Sequence, residues 1–183
     1  MESFLGGLHH GRRPDGDNLS DRLVAAGFGN TYDELARVLP RSGEPMKKFA
    51  VTPQEYVEIL NLYSAYNLSS DAGEAEWYAS LFTEDGEHHG TYDVKGRAAL
   101  VAYKKKDKAS RTHLYRRHWN GSIHLEKIDA QTIRGRCYLF GYNGEPGKLP
   151  HTTHAGVYTD TIKLVDGEWK FAERRLVFDG VAT

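Results

Sequence analysis

Near the C-terminus, Trp169, Phe171, Glu173, Arg175 and Val177 fall on one face of a strand-like run, and Lys170, Ala172, Arg174, Leu176 and Phe178 fall on the other. The alternation stands Arg175 and Glu173 among aromatic and aliphatic neighbours. Such an arginine either pairs with the glutamate at a sheet edge or lines an apolar pocket, where its guanidinium would stabilise a developing anion. Nine histidines supply candidate acid–base groups. His9-His10 lies in a Gly- and Pro-rich N-terminal stretch, and His88-His89 alternate sides of a short strand, so at most one of them faces a pocket. A metal held by His88, His118 and His154 is conceivable, but no ligand spacing supports it, and none is expected. Pattern alone does not select among the histidines. Cys137, the only cysteine, excludes a disulfide within the chain and a cysteine-based zinc site. It reads as a small buried hydrophobe within the strand-like run Arg136–Phe140.

Other chemistries are poorly served. No Gly-rich strand-to-helix fingerprint is present, and Asn143-Gly144-Glu145-Pro146-Gly147 lies between strands, where a turn suffices to explain it. Neither a nucleophile elbow nor a zincin pattern occurs. Twenty-four Lys and Arg against 25 Asp and Glu leave a formal net charge of −1, so no overall field draws in nucleic acid or anionic lipid. Lys104-Lys105-Lys106 reads as the solvated C-terminus of a helix, favoured by its dipole. No apolar stretch approaches the roughly 20 residues of a membrane span. The first seven residues lack the basic flank and apolar run of a secretory signal. A soluble, cytoplasmic protein is expected.

The elements that must position these groups fall into two blocks. In the 183-residue chain, residues 1–50 are rich in Gly, Pro and charge, with short helical patterns only near Ser20–Ala26 and Tyr32–Leu39. They read as an arm, and residues 51–183 as one domain. Thr52-Pro53 opens that domain as an N-cap followed by a pre-set first turn. Ile59, Leu62, Tyr63 and Tyr66 then recur at helical spacing. Helices are expected near 53–68, 74–82 and 96–106, the second with Trp77, Leu81 and Phe82 as its apolar side. Glu84-Asp85-Gly86 reads as a turn before a short strand at His88–Tyr92. From His113 the texture becomes long strands, roughly 113–128, 131–143, 152–164 and 168–178, separated by hairpin signals such as Asp166-Gly167. Helices first and an antiparallel meander after indicate an α+β fold with the helices on one sheet face.

Leu62-Tyr63-Ser64, Tyr66, Asp71 and Trp77 through Gly86 resemble the helical opening of nuclear transport factor 2-like (SnoaL-like) dehydratases and cyclases. Tyr158-Thr159-Asp160 and Asp166 through Ala172 resemble their closing hairpin. The similarity covers about residues 53–178. It implies a conical barrel made by a strongly curved antiparallel sheet under N-terminal helices. It also implies a histidine base at the start of a strand, oriented by an aspartate just after the first helix. Asp71 fits that aspartate, five residues after Tyr66 and eleven before Phe82, and His118 fits the histidine. Tyr66 stands where relatives carry tyrosine or lysine, and Arg175 where one relative's arginine assists a leaving anion. His89, His154, Trp77, Phe171 and Tyr138 are the expected substrate-binding residues.

A carboxylate bonded to one imidazole nitrogen fixes the tautomer and leaves the other nitrogen to take a proton. The resemblance therefore implies a cofactor-independent lyase acting on a hydrophobic, cyclic small molecule. An isomerase or cyclase on a similar substrate, and a non-catalytic binding or assembly module, are the alternatives. Relatives pack sheet surfaces together, so a homo-oligomer, dimer or trimer, is expected.

Overall fold

The computed structural model describes residues 51–182. The N-terminal arm, with its two helical patterns and His9-His10, lies outside the described residues. Helix α1 (Pro53–Ala72) begins with a capping box. The Thr52 hydroxyl accepts from the Glu55 amide at 3.2 Å, and the Glu55 carboxylate accepts from the Thr52 amide at 2.8 Å, so two orphan donors are satisfied reciprocally. The expected face, Ile59, Leu62, Tyr63 and Tyr66, is buried. The helix runs one turn beyond the expected boundary. It stops at Gly73, whose φ of 74° is the left-handed conformation that glycine adopts without a Cβ penalty. Asp71 is thus in the last turn of α1 rather than after it.

Helix α2 (Ala75–Ser80), strand β1 (Phe82–His89), the two-residue strand β2 (Val94–Lys95) and helix α3 (Arg97–Ala109) follow. Four long strands complete the domain: β3 (Tyr115–Lys127), β4 (Thr132–Gly144), β5 (His151–Val165) and β6 (Glu168–Val181). The sheet order is β2-β1-β6-β5-β4-β3. The α+β class and the curved sheet agree with the sequence reading. Two details differ. The sheet is open, because β2 and β3 remain at opposite edges, so the barrel is not closed. Glu84-Asp85-Gly86 is not a turn but part of β1, which pairs in parallel with β6 through a register shift between Phe82 and Glu87; every other strand pair is antiparallel.

Between helices and sheet lies an aromatic core. Phe171 meets Tyr63, Tyr66 and Phe82 with ring centroids 5.5–5.7 Å apart. Full burial of side chains this size contributes about 1.5–3 kcal/mol each. Two irregularities decide which residues face that core. Ser122, at φ 53°, sits in a bulge of β3, so inward positions switch from Arg116, His118 and Asn120 to Ile123 and Leu125. On β6, Ile162 of β5 is opposite Phe171 while Thr161 is opposite Glu173, which leaves Ala172 unpaired. The extra residue reverses the side chains from Arg174 to Phe178, up to a second register shift opposite Ala155 and Gly156.

Candidate active site

The last turn of α1 and the start of β3 meet at Asp71 and His118. One Asp71 carboxylate oxygen accepts from the His118 backbone amide at 3.0 Å, and the other lies 2.5 Å from His118 Nδ1. The carboxylate therefore holds both the strand and the ring. Behind it, the Arg111 guanidinium donates to the carbonyls of Asp71 (3.0 Å) and Ser70 (2.7 Å), satisfying acceptors that the helix end leaves free. Burial holds the His118 pKa below the ordinary histidine value, and Asp71 only partly opposes it. Burial thus favours the neutral ring, and a bond from Nδ1–H to the Asp71 carboxylate leaves the lone pair on Nε2.

His118 opens on a cavity of about 520 Å³ between α1, α3 and the inner sheet face. Its walls include Tyr66, Tyr158, His154, Leu176 and Phe178. The His154 ring lies edge-on to His118 at 5.7 Å and to Phe178 at 5.7 Å. It rests over the bare backbone of Gly141, where a Cβ would collide with the imidazole. Burial brings the His154 pKa down to about 4, so this ring is neutral as well. The Tyr66 and Tyr158 hydroxyls stand 3.5 Å apart, and burial raises both phenols well above their usual range. Both phenols therefore keep their protons at neutral pH.

A second polar group lines the cavity from α3 and β1. Lys104 is 3 % exposed; its ammonium donates to Ser70 Oγ at 2.9 Å and lies 4.5 Å from the centre of the Tyr78 ring. His88 stacks on Tyr103 at 5.6 Å, and burial lowers its pKa to about 3. Asp107 accepts from Arg116 at 2.8 Å and from Arg111 at 3.3 Å. Among the described residues no group of three or more His, Cys, Asp and Glu side chains could hold a metal.

A family model described as a SnoaL-like domain matches residues 52–175. The chain belongs to the SnoaL-like family. Members of this nuclear transport factor 2-like group include polyketide cyclases and dehydratases, and the fold binds small-molecule substrates. No curated protein matches the chain. Solved structures with this SnoaL-like fold include ActVI-ORFA from Streptomyces coelicolor, at 24% identity and TM-score 0.66, over 72% of this chain and 100% of that one. A candidate scytalone dehydratase from Novosphingobium aromaticivorans has 23% identity and TM-score 0.61, over 70% and 87%. A Mycobacterium tuberculosis protein of unknown function has 26% identity and TM-score 0.62, over 70% and 79%. No helix among the described residues is long and apolar enough to cross a membrane.

In the SnoaL-like domain, Asp71, His118, Tyr66 and His154 lie together, and five other candidate site residues lie elsewhere. Arg175 is half exposed on the outer sheet face, bonded to Glu173 at 2.9 Å, because the Ala172 bulge turns Arg174 inward instead. His89 also points outward, between Glu87 (3.0 Å) and Asp93 (2.9 Å); its neighbour His88 is the one facing the cavity. Tyr138 is exposed because Cys137 and Leu139 take the inward positions of β4. Trp77 is exposed because α2 buries Ala75, Tyr78 and Ala79. Phe171 is fully buried in the core beside Tyr66 and is not part of the cavity wall. Lys104, read as solvated, is buried. Its signal was the spacing Leu100, Tyr103, Lys104, Asp107, Arg111, one face of a helix and the turn after it.

Proposed function

We propose that this protein is a cofactor-independent lyase of the dehydratase type, acting on a hydrophobic, cyclic small molecule by general acid–base catalysis. The observation that carries the reading is the two-point grip of Asp71 on His118 at the cavity wall. The grip fixes the ring orientation, and a neutral Nε2 is ready to take a carbon-bound proton. The C–H pair moves toward the adjacent carbonyl and then forms the new double bond as the β C–O bond breaks. The departing oxygen takes a proton from a phenol, and Tyr66 is the residue we assign to that step. Leu176 and Phe178 give the apolar wall that suits a ring-shaped substrate.

The test is a panel of cyclic β-hydroxy ketones, with loss of water followed by mass spectrometry. His118→Ala and Asp71→Asn are each expected to lower kcat by about 10²–10⁴. The double variant should be little worse than His118→Ala, because Asp71 acts through the ring. Full turnover in a folded His118→Ala variant sinks the reading.

We also infer a homo-oligomer, a dimer or trimer, built on the outer sheet face. Trp119, paired across β3–β4 with Phe140, is 70% exposed there, beside Tyr138 at 54%. Apolar surface of this kind marks a protein contact. Light scattering at micromolar concentration should give a multiple of 20.6 kDa; a monomer refutes it.

A further inference from the structure

We propose that Lys104, anchored on Ser70, is an oxyanion-binding residue of the cavity, and that the substrate is a carbonyl or phenolic compound whose negatively charged oxygen rests on its ammonium. The ammonium has three donors. One goes to Ser70 Oγ at 2.9 Å. The nearest carboxylate oxygen, on Asp107, is 3.5 Å away, beyond the usual 2.7–3.2 Å range, and that carboxylate already serves Arg116 and Arg111. The remaining neighbours are the faces of Tyr78 and Tyr103, at 4.5 and 5.1 Å. The Asp107 contact is long, and beyond it the ammonium faces only these rings and the cavity.

Charge points the same way. Around this end of the cavity stand three buried or half-buried cations, Lys104, Arg111 and Arg116, and the exposed Lys106, against two carboxylates, Asp71 and Asp107. His88 and His154 add no negative charge, and His88 Nδ1 is buried without a hydrogen-bond partner. A surplus buried positive charge is costly. An anionic oxygen arriving on a ligand compensates it.

The position suits the chemistry. Ser70 and Asp71 are consecutive residues, so one helical turn aims the Lys104 ammonium and the His118 ring at the same cavity. When His118 Nε2 takes a proton from carbon, the C–H pair moves to form C=C and the carbonyl π pair moves onto oxygen. Lys104 holds that oxygen, and the pair returns as the leaving group departs. This step rests on the lyase reading; the binding of an oxyanion does not.

The test therefore measures binding without turnover, using 4-nitrophenol as the probe and following its phenolate absorbance at fixed pH. The wild-type protein should bind phenolate in preference to phenol. Lys104→Met should weaken phenolate binding about 10- to 100-fold, the scale of a lost charged hydrogen bond. Ser70→Ala, which removes only the anchor, should weaken it by a smaller factor and remains informative if Lys104→Met does not fold. His118→Ala should keep the preference while losing turnover. No phenolate preference in the wild type, or an unchanged preference in both Lys104→Met and Ser70→Ala, overturns the proposal. A His118→Ala variant that turns over yet binds phenolate leaves this site standing and removes the base instead.

Discussion

Two cations are buried within a few residues of the cavity, and the fold treats them oppositely. Arg174 is fully buried, with its guanidinium over Tyr158 at 3.8 Å, Tyr66 at 4.1 Å, Phe171 at 4.6 Å and Tyr63 at 4.8 Å. Its Nε lies 3.7 Å from Asp160, which accepts from the Tyr63 hydroxyl at 2.5 Å. Burial opposes its charge, but Asp160 and the surrounding groups outweigh it, and the pKa stays above the ordinary arginine value. For Lys104 the balance falls the other way. Burial dominates, Asp107 compensates only in part, and the pKa drops to about 8. A guanidinium enclosed by rings and a carboxylate is a fixed part of the core. An ammonium with an unfilled side facing a cavity can respond to what enters.

The largest effect should come from breaking the enclosed pair. Arg174→Met strands Asp160 in the core and should cost about 3–5 kcal/mol in urea denaturation, whereas Arg175→Met should stay within about 0.5 kcal/mol of wild type. Equal losses for the two neighbours would contradict the bulge. A smaller effect should come from pH. The acid limb of kcat/KM should lie below the usual histidine range near 6.5, since protonated His118 cannot accept a proton. The alkaline limb should lie near pH 8, where Lys104 loses its charge amid Asp107, Arg111, Arg116, Tyr78 and Tyr103. Lys104→Met should abolish that alkaline limb while leaving the acid one. An alkaline limb that survives the substitution assigns it to another group.

The same contrast explains what was legible in the sequence. Ile59 to Tyr66 and the long strands are periodic, and periodicity reports which face is buried, so the fold could be read before any coordinates. Asp71 and His118 could not be chosen by pattern, because their contact spans 47 residues of chain; only resemblance to a family paired them. Arg175 was misplaced for a local reason. One unpaired residue at Ala172 inverts a strict two-residue alternation, and no turn residue announces it. Lys104 hid differently. In a Lys-Lys-Lys run the charges are identical, and only the helical phase with Leu100 and Tyr103 separates the inward member from its solvated neighbours. Cys137 behaved as its surroundings suggested: buried, with its thiol pushed up to about 12 and chemically quiet.

The Arg111 clamp on the carbonyls of Ser70 and Asp71 has a wider consequence. It makes the end of α1 a bracket from which Lys104 and His118 are held by consecutive residues. Their anchors, Ser70 and Asp71, are one helical step apart. Other parts of the wall, at Thr91, Tyr92, Leu176 and Phe178, are carried by the loop after β1 and by β6 and do not hang from that bracket. The cavity is thereby built from separate pieces of backbone, one clamped at the end of α1 and one carried by a loop and a strand.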